Sequence, residues 1–279
     1  MLWLPRSGEA KIISNEITTG HVTPGTNVQS NTSEANGYGT VVELISAANN
    51  IADSWAIEIF VCGTGAAATA TSTCLDILVG GATDDILIDS LLVGYIYSAS
   101  AHRALPRYFF FPVHVPAGLR VAARIASVVN TNNAYVIVRL HCGSAPPFRV
   151  GRKVTTYGTK AGNARGVDVN PTASNGAATV TEISASSTAD HFYFLPGFQP
   201  EGTTAMTPAG TMCVGIGVGA STEERIGTWF YHKTVNEHMD HGFPRLGAFR
   251  EVASGTRLTY LASGPTEAGG PYGGLIYAV

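Results

Sequence analysis

The chain is short of charge. Asp, Glu, Lys and Arg make up 13% of its 279 residues, against about 25% in an average soluble domain. The 17 basic residues are outnumbered by 20 acidic ones, for a formal net charge of −3. That balance excludes the broad basic footprint with which nucleic-acid binders hold phosphate backbones. The one small basic cluster, Arg149, Arg152 and Lys153, falls next to two prolines and reads as a solvated hinge. Long apolar runs are also missing. No stretch approaches the ~18 residues of a membrane-spanning helix, and the apolar start, Leu2-Trp3-Leu4 before Pro5, is too short for the core of a secretory signal. A protein made and folded in a cytoplasm, without membrane or nucleic-acid partners, is expected. Cysteine is sparse as well: Cys62, Cys74, Cys142 and Cys213 are expected to be reduced and mostly buried, behaving as small hydrophobes.

Sequence signatures of catalysis are equally scarce. There is no G-x-S-x-G elbow, no G-x-x-x-x-G-K-[ST] phosphate loop and no H-E-x-x-H zinc motif. Gly215, Gly217 and Gly219 alternate strictly, so they belong to a strand and not to a dinucleotide loop. His232, Glu237, His238, Asp240 and His241 crowd into ten residues and supply the imidazole and carboxylate groups that suit a transition metal. A polar surface loop between two strands is the preferred account of them, and no metal or other cofactor is expected. No base, nucleophile or carboxylate pair is singled out by spacing, so no catalytic residue is assigned and a non-enzymatic protein is expected.

What the chain does have is a repeat. CLDILVGGATDDI from Cys74 returns as CVGIGVGASTEER from Cys213, an offset of 139. The acidic pair Asp84-Asp85 returns as Glu223-Glu224, and Thr40 to Leu44 returns as Thr179 to Ile183 at the same offset. Leu105-Pro106-Arg107 matches Phe243-Pro244-Arg245 at 138, and the Val115 to Arg120 turn matches Val252 to Arg257 at 137. Four blocks in one order with a drift of two residues imply an internal duplication. The expected units are residues 1–145, with an extended N-terminal arm, and 150–279, joined by a linker at about 143–153 whose adjacent prolines stiffen it.

Each unit reads as about seven short strands with no helical apolar stripe, the pattern of a β-sandwich or jelly roll. In the first, the strands are Thr40–Ala47, Ser54–Val61, Cys74–Gly80, Ile86–Tyr97, Arg107–Val115, Arg120–Val129 and Ala134–Cys142. Trp55, Ile57, Ile59 and Val61 share one face, and Pro112 breaks the YFFFPVHV run or confines it to an edge. The lead-in before Gly39 is expected to be weakly ordered apart from Lys11–Ser14, and the acidic pairs are expected in solvated turns. The fold class is therefore all-β, two tandem duplicated β-sandwich or jelly-roll domains.

LPRSG at Leu4–Gly8, DILVGGATDDILIDSLLVG at Asp76–Gly94 and YFFFPVHVPAGLRVAARI at Tyr108–Ile125 resemble a group of tailed-bacteriophage virion proteins. The resemblance implies a structural component, a capsid decoration or a tail, collar or baseplate protein. Its partners would be other virion proteins, its place the virion assembled in the host cytoplasm, and its own state a homo-oligomer, with three chains presenting six units as the symmetric solution. Leu2, Trp3 and Leu4 are the interface candidates, an apolar arm for a neighbouring subunit. The alternative is a receptor- or glycan-binding module of a phage tail, for which Tyr272 and Trp229 are the candidate platforms, and after it a glycan-degrading enzyme, whose carboxylates would come from distant strands.

Overall fold

The computed structural model describes residues 11–18, 21–22, 25–63, 72–81, 84–95, 107–143, 146, 148–160, 165–173, 178–200, 210–220, 223–233, 239–240, 246–264 and 272–279. Among these there is no helix. The first half forms β1 (Lys11–Ser14), β2 (Ile17–Thr18), β3 (His21–Val22), β4 (Thr26–Gln29), β5 (Val42–Ile45), β6 (Ser54–Gly63), β7 (Ser72–Gly80), β8 (Asp84–Tyr95), β9 (Arg107–Phe111), β10 (Arg120–Ser127) and β11 (Asn133–Cys142). The second forms β12 (Thr155–Tyr157), β13 (Val167–Val169), β14 (Thr172–Ala173), β15 (Thr179–Ser184), β16 (His191–Pro200), β17 (Gly210–Val218), β18 (Glu224–Lys233), β19 (Met239–Asp240), β20 (Ala248–Val252), β21 (Leu258–Gly264) and β22 (Tyr272–Ala278).

The strands make two sandwiches of the same design. In the first, the sheet β1-β11-β6-β9, with β4 also on β11, faces the sheet β5-β10-β7-β8. In the second, β12-β22-β16-β20, with β13 on β22, faces the sheet in which β21, β17 and β18 run side by side and β15 pairs with β21. The duplication is thus a duplication of topology, and it reaches individual contacts. Gly118 and Gly255 both adopt positive φ, 75° and 84°, which a side chain would strain. Their N–H groups donate to Asn50 O and Ser187 O at 2.7 and 2.9 Å. One residue earlier in each turn, Ala117 N and Ser254 N donate to Asp53 and Asp190 at 2.8 Å. Asp84 pairs with Arg120, and its counterpart Glu223 with Arg257 at 2.7 Å. The expectation of solvated acidic turns is corrected for the first member of each pair, whereas Asp85 and Glu224 are exposed. Asp84 and Glu223 keep only 14% and 15% of their side-chain surface, because the arginine that follows each glycine turn runs antiparallel beside them.

The lead-in also differs from expectation. β1 and β4 both pair with β11, and Asn15 donates to Thr26 Oγ1 and Val136 O at 2.9 Å while accepting from Val138 N at 2.8 Å. Polar residues without periodicity are drawn into the sheet because the edge of β11 otherwise leaves a row of backbone groups unpaired. The predicted break in YFFFPVHV is observed: β9 ends at Phe111, immediately before Pro112, and lies at the sheet edge beside β6 alone. All four cysteines are free.

The two sandwiches do not hang on a loose tether. Gly151 donates to Pro112 O at 2.9 Å and accepts from His114 N at 2.8 Å, which ties the connecting segment to the first sandwich. The apolar core of the first sandwich continues through Leu87, Leu91 and Val93 into Phe192, Tyr193, Leu195, Leu275, Tyr277 and Val279 of the second. Within this seam the Tyr277 hydroxyl accepts from Leu92 N at 2.6 Å and donates to Ser90 O at 2.9 Å. Tyr193 donates to Phe110 O at 2.6 Å. Ser90 has φ of 52°, an uncommon backbone for a non-glycine residue, and is held there by contacts from both sandwiches.

Tyr277→Phe leaves the buried Leu92 N–H and Ser90 carbonyl without this partner, and one unsatisfied buried group costs about 1–3 kcal/mol. Urea unfolding of the full chain is expected to show a loss of that size; an unchanged midpoint would sink the assignment of the seam as the joint between the sandwiches.

Candidate functional site

The strand period of two sends Ile57, Ile59 and Val61 of β6 inward, where each is at most 2% exposed, and turns Glu58 and Phe60 to the outer face of the first sheet. On β11 the alternation is complete: Ala134, Val136, Val138 and Leu140 are buried, while Tyr135, Ile137, Arg139 and His141 lie outward and half-covered. Antiparallel register sets Arg139 opposite Glu58, Ile137 opposite Phe60, Phe60 opposite Tyr108 and Glu58 opposite Phe110. A bulge at His141 and Cys142 removes Trp55 from the inward row in which its spacing places it. Its ring lies 5.3 Å from His141 and 5.5 Å from Phe148 on the outer side. A bulge re-aims the side chains around it in this way.

The result is an aromatic surface around a charged centre. Phe60 and Tyr108 have centroids 5.0 Å apart, the Arg139 guanidinium sits 4.7 Å over Phe60, and Phe110 faces His141 at 6.4 Å. Glu58 accepts from the Tyr108 hydroxyl at 2.7 Å. Its other oxygen is 3.2 Å from His141 Nε2 and 3.8 Å from Arg139. Arg139 itself forks onto both oxygens of Glu16, at 2.8 and 2.9 Å, the bidentate geometry that guanidinium favours. Burial alone would raise the Glu58 carboxyl, but His141, Tyr108 and Arg139 outweigh it and hold the group below its ordinary value, so it is ionised at neutral pH. Tyr108 is pushed upward by burial and by Glu58, and stays a neutral donor. Two carboxylates, one guanidinium and one imidazole thus meet at this centre.

A second polar cluster is built differently. Asp76, in the middle of β7, is fully buried. It accepts from the Tyr38 hydroxyl and Ser90 N at 2.9 Å and from Arg124 Nε at 2.8 Å. Burial raises its carboxyl despite these donors. Arg124 lies 4.3 Å over the Tyr38 ring, and Arg165 of the second sandwich donates to Asn36 O at 2.8 Å. Every donor around Asp76 comes from the chain itself and the carboxylate has no exposed surface to offer, so the cluster is a structural tie between the lead-in, the first sandwich and the second. Its counterpart at the offset of 139 is Gly215, which makes the tie peculiar to the first unit.

The residues singled out in the sequence are not brought together here. Leu2, Trp3 and Leu4 lie outside the described residues, as do Glu237, His238 and His241. His232 and Asp240 stand opposite one another across β18 and β19, and no group of three metal-ligating side chains occurs among the described residues. Gly217 is interior to β17, where a Cβ would meet Thr259 Oγ1 at 2.7 Å, in keeping with a strand and not a phosphate loop. Tyr272 is no platform: it is 1% exposed and stacked on Phe198 at 4.7 Å. Trp229 is half-buried and donates its indole N–H to Leu246 O at 2.9 Å. Glu58, Tyr108, Arg139 and His141 were not singled out, although the alternation in β11 carries the signal that Arg139 and His141 face away from the core.

No protein-family model and no curated protein matches the chain. Among solved structures it is similar to PNGase F, a glycosylasparaginase from Flavobacterium meningosepticum, with a TM-score of 0.39 and 8% identity over 96% of this chain and 95% of that one. A peptide-N(4)-(N-acetyl-β-D-glucosaminyl) asparagine amidase matches with a TM-score of 0.37 and 9% identity, over 91% of this chain and 95% of that one. PNGF-II matches with 0.38 and 7%, over 96% of this chain, which spans 65% of the PNGF-II chain. The expectation of a non-enzymatic virion component is corrected by these findings: the matched structures include amidases and no family or curated match supports a virion assignment, so neither the virion role nor the exclusion of enzymatic activity is kept. TM-scores below 0.4 transfer no residue roles, and the function is argued from the geometry of this chain alone.

Proposed function

We propose that the protein is glycan-directed and that the outer face of the first sheet is where it engages saccharide. One observation carries this reading: half-exposed aromatic rings surround a carboxylate that is held ionised beside a guanidinium and an imidazole, all on rigid neighbouring strands. A sugar ring presents C–H groups on its faces and hydroxyls around its rim. The negative faces of Phe60, Tyr108 and Trp55 suit the first, and the planar acceptors and donors of Glu58, Arg139 and His141 suit the second. Placement on strands, not loops, fixes the geometry before a ligand arrives and reduces the ordering cost of binding.

Cleavage is the second reading, favoured by one feature. Glu58, an ionised carboxylate bonded to a neutral phenol, is the group on this face that can accept a proton from a water, and the donors that lower its carboxyl make it a weak base.

On a glycan array followed by calorimetry, Glu58→Gln and Phe60→Ala are each expected to weaken the best ligand at least about tenfold, equivalent to ~1.4 kcal/mol. Wild-type affinity in both variants would refute the assignment. Mass analysis of the same mixtures reads turnover, which Glu58→Gln is expected to abolish if the second reading holds. The pH profile is a further check. Because Glu58 lies below its unfolded value of about 4.3, its contribution to stability is complete above that value and is lost as the pH falls through the lower folded one. The part of the affinity that Glu58→Gln removes is therefore expected to be lost only below the ordinary glutamate range; its loss with a midpoint near pH 6 would show that Glu58 is not the group read out.

A further inference from the structure

Where the two sheets of the first sandwich meet at one edge, a cleft of about 420 Å³ opens between β4 and the segment 38–42. Asn27, Gln29, Asn31, Ser30, Thr32, Thr40 and Tyr38 supply its polar lining, with Gly39 and Val42. Its size is within the ~300–1,000 Å³ of small-molecule sites. Nothing in the lining carries a charge at neutral pH, Tyr38 being a phenol held to Asp76, so an ion finds no counter-charge on these walls. Amide and hydroxyl groups instead offer a donor and an acceptor side by side, the pattern of the vicinal hydroxyls of a sugar.

Two features mark the cleft as a prepared site. Asn27 and Gln29 are two residues apart on β4, flanking the buried Val28, so their carboxamides project to the same side. Both are exposed, and neither carboxamide makes a hydrogen bond among the described residues. The walls behind them are fixed. Asn31 Oδ1 accepts from Ser33 N at 2.8 Å, Ser30 N donates to Asn132 O and Gly39 N to Ile125 O, both at 2.9 Å, and a Cβ on Gly39 would lie 1.8 Å from Gln29 O. Residue 39 can therefore only be glycine at this approach, and the approach sets the width of the cleft.

We propose that this cleft is a binding site for an uncharged saccharide, held by the Asn27 and Gln29 carboxamides and the Thr32 and Thr40 hydroxyls, and separate from the Glu58 cluster, from which β11 divides it. The proposal stands on the lining alone and does not require the Glu58 face to bind glycan.

The test is titration of the full chain, labelled with 15N, with maltotriose, cellotriose, N,N′,N″-triacetylchitotriose and mannotriose, reading the side-chain amide signals of Asn27 and Gln29 together with calorimetric affinity. At least one probe is expected to shift both amide signals. The double variant Asn27→Ala with Gln29→Ala, whose side chains are exposed and unbonded, is expected to weaken that probe at least tenfold, with its remaining amide spectrum unchanged. Glu58→Gln is expected to leave it bound. Absence of binding by all four probes overturns the proposal, as does wild-type affinity in the double variant. Loss in Glu58→Gln alone overturns the cleft and supports the Glu58 face, whereas loss in the double variant alone supports the cleft and leaves that face without a ligand. Loss in both contradicts a separate site and overturns the proposal.

Discussion

The apolar seam between β8 of the first sandwich and β16 and β22 of the second is the constraint on which the architecture depends. A chain with so few charges has little electrostatic means of orienting one domain on another, and burial is not directional. Direction comes from two tyrosines, Tyr193 and Tyr277, whose rings lie within the seam and whose hydroxyls reach backbone groups of the first sandwich. Because the Leu92 N–H is buried and the Phe110 and Ser90 carbonyls are partly so, another docking angle would leave them without these partners. The strained Ser90 between Asp76 and Tyr277 belongs to the same arrangement.

That seam also decides which surfaces remain for ligands. The second sandwich covers the β8 side of the first, and Asp76 with its neighbours is used up in tying the lead-in to it. The outer face of the opposite sheet is left half-open, with its aromatic rings and Glu58, and so is the cleft at the sheet edge. Polar chemistry in this protein therefore divides into groups consumed by the fold and groups held in place by it. Asp76 and Glu58 illustrate the division: both are carboxylates on strands beside an arginine, yet burial raises one while neighbouring donors hold the other down.

The two copies have diverged in how they fill their cores. The first is mainly aliphatic, whereas the second stacks Tyr157, Phe198, Tyr231, Tyr260 and Tyr272. The alternating glycines of β17 lie outside that packing: a Cβ on Gly215 would meet Arg225 Nε at 3.3 Å, and one on Gly217 would meet Thr259 Oγ1 and Glu223.

The sequence by itself determined the fold class, the duplication and most strand positions, because apolar alternation, turn glycines and prolines are local signals and the copies corroborate one another. It placed the β9 break at Pro112 and the paired turns at Gly118 and Gly255. It did not show that Trp55 turns outward, since a bulge depends on what the partner strand does at His141. Nor did it show that Tyr272 is buried, or that Glu58, Tyr108, Arg139 and Glu16 meet: these lie on four segments up to 123 residues apart, and only the antiparallel register sets them side by side. Hydrophobic patterning acts along the chain and is written in it, whereas a binding surface is a relation between strands, fixed only when the sheets have paired and packed.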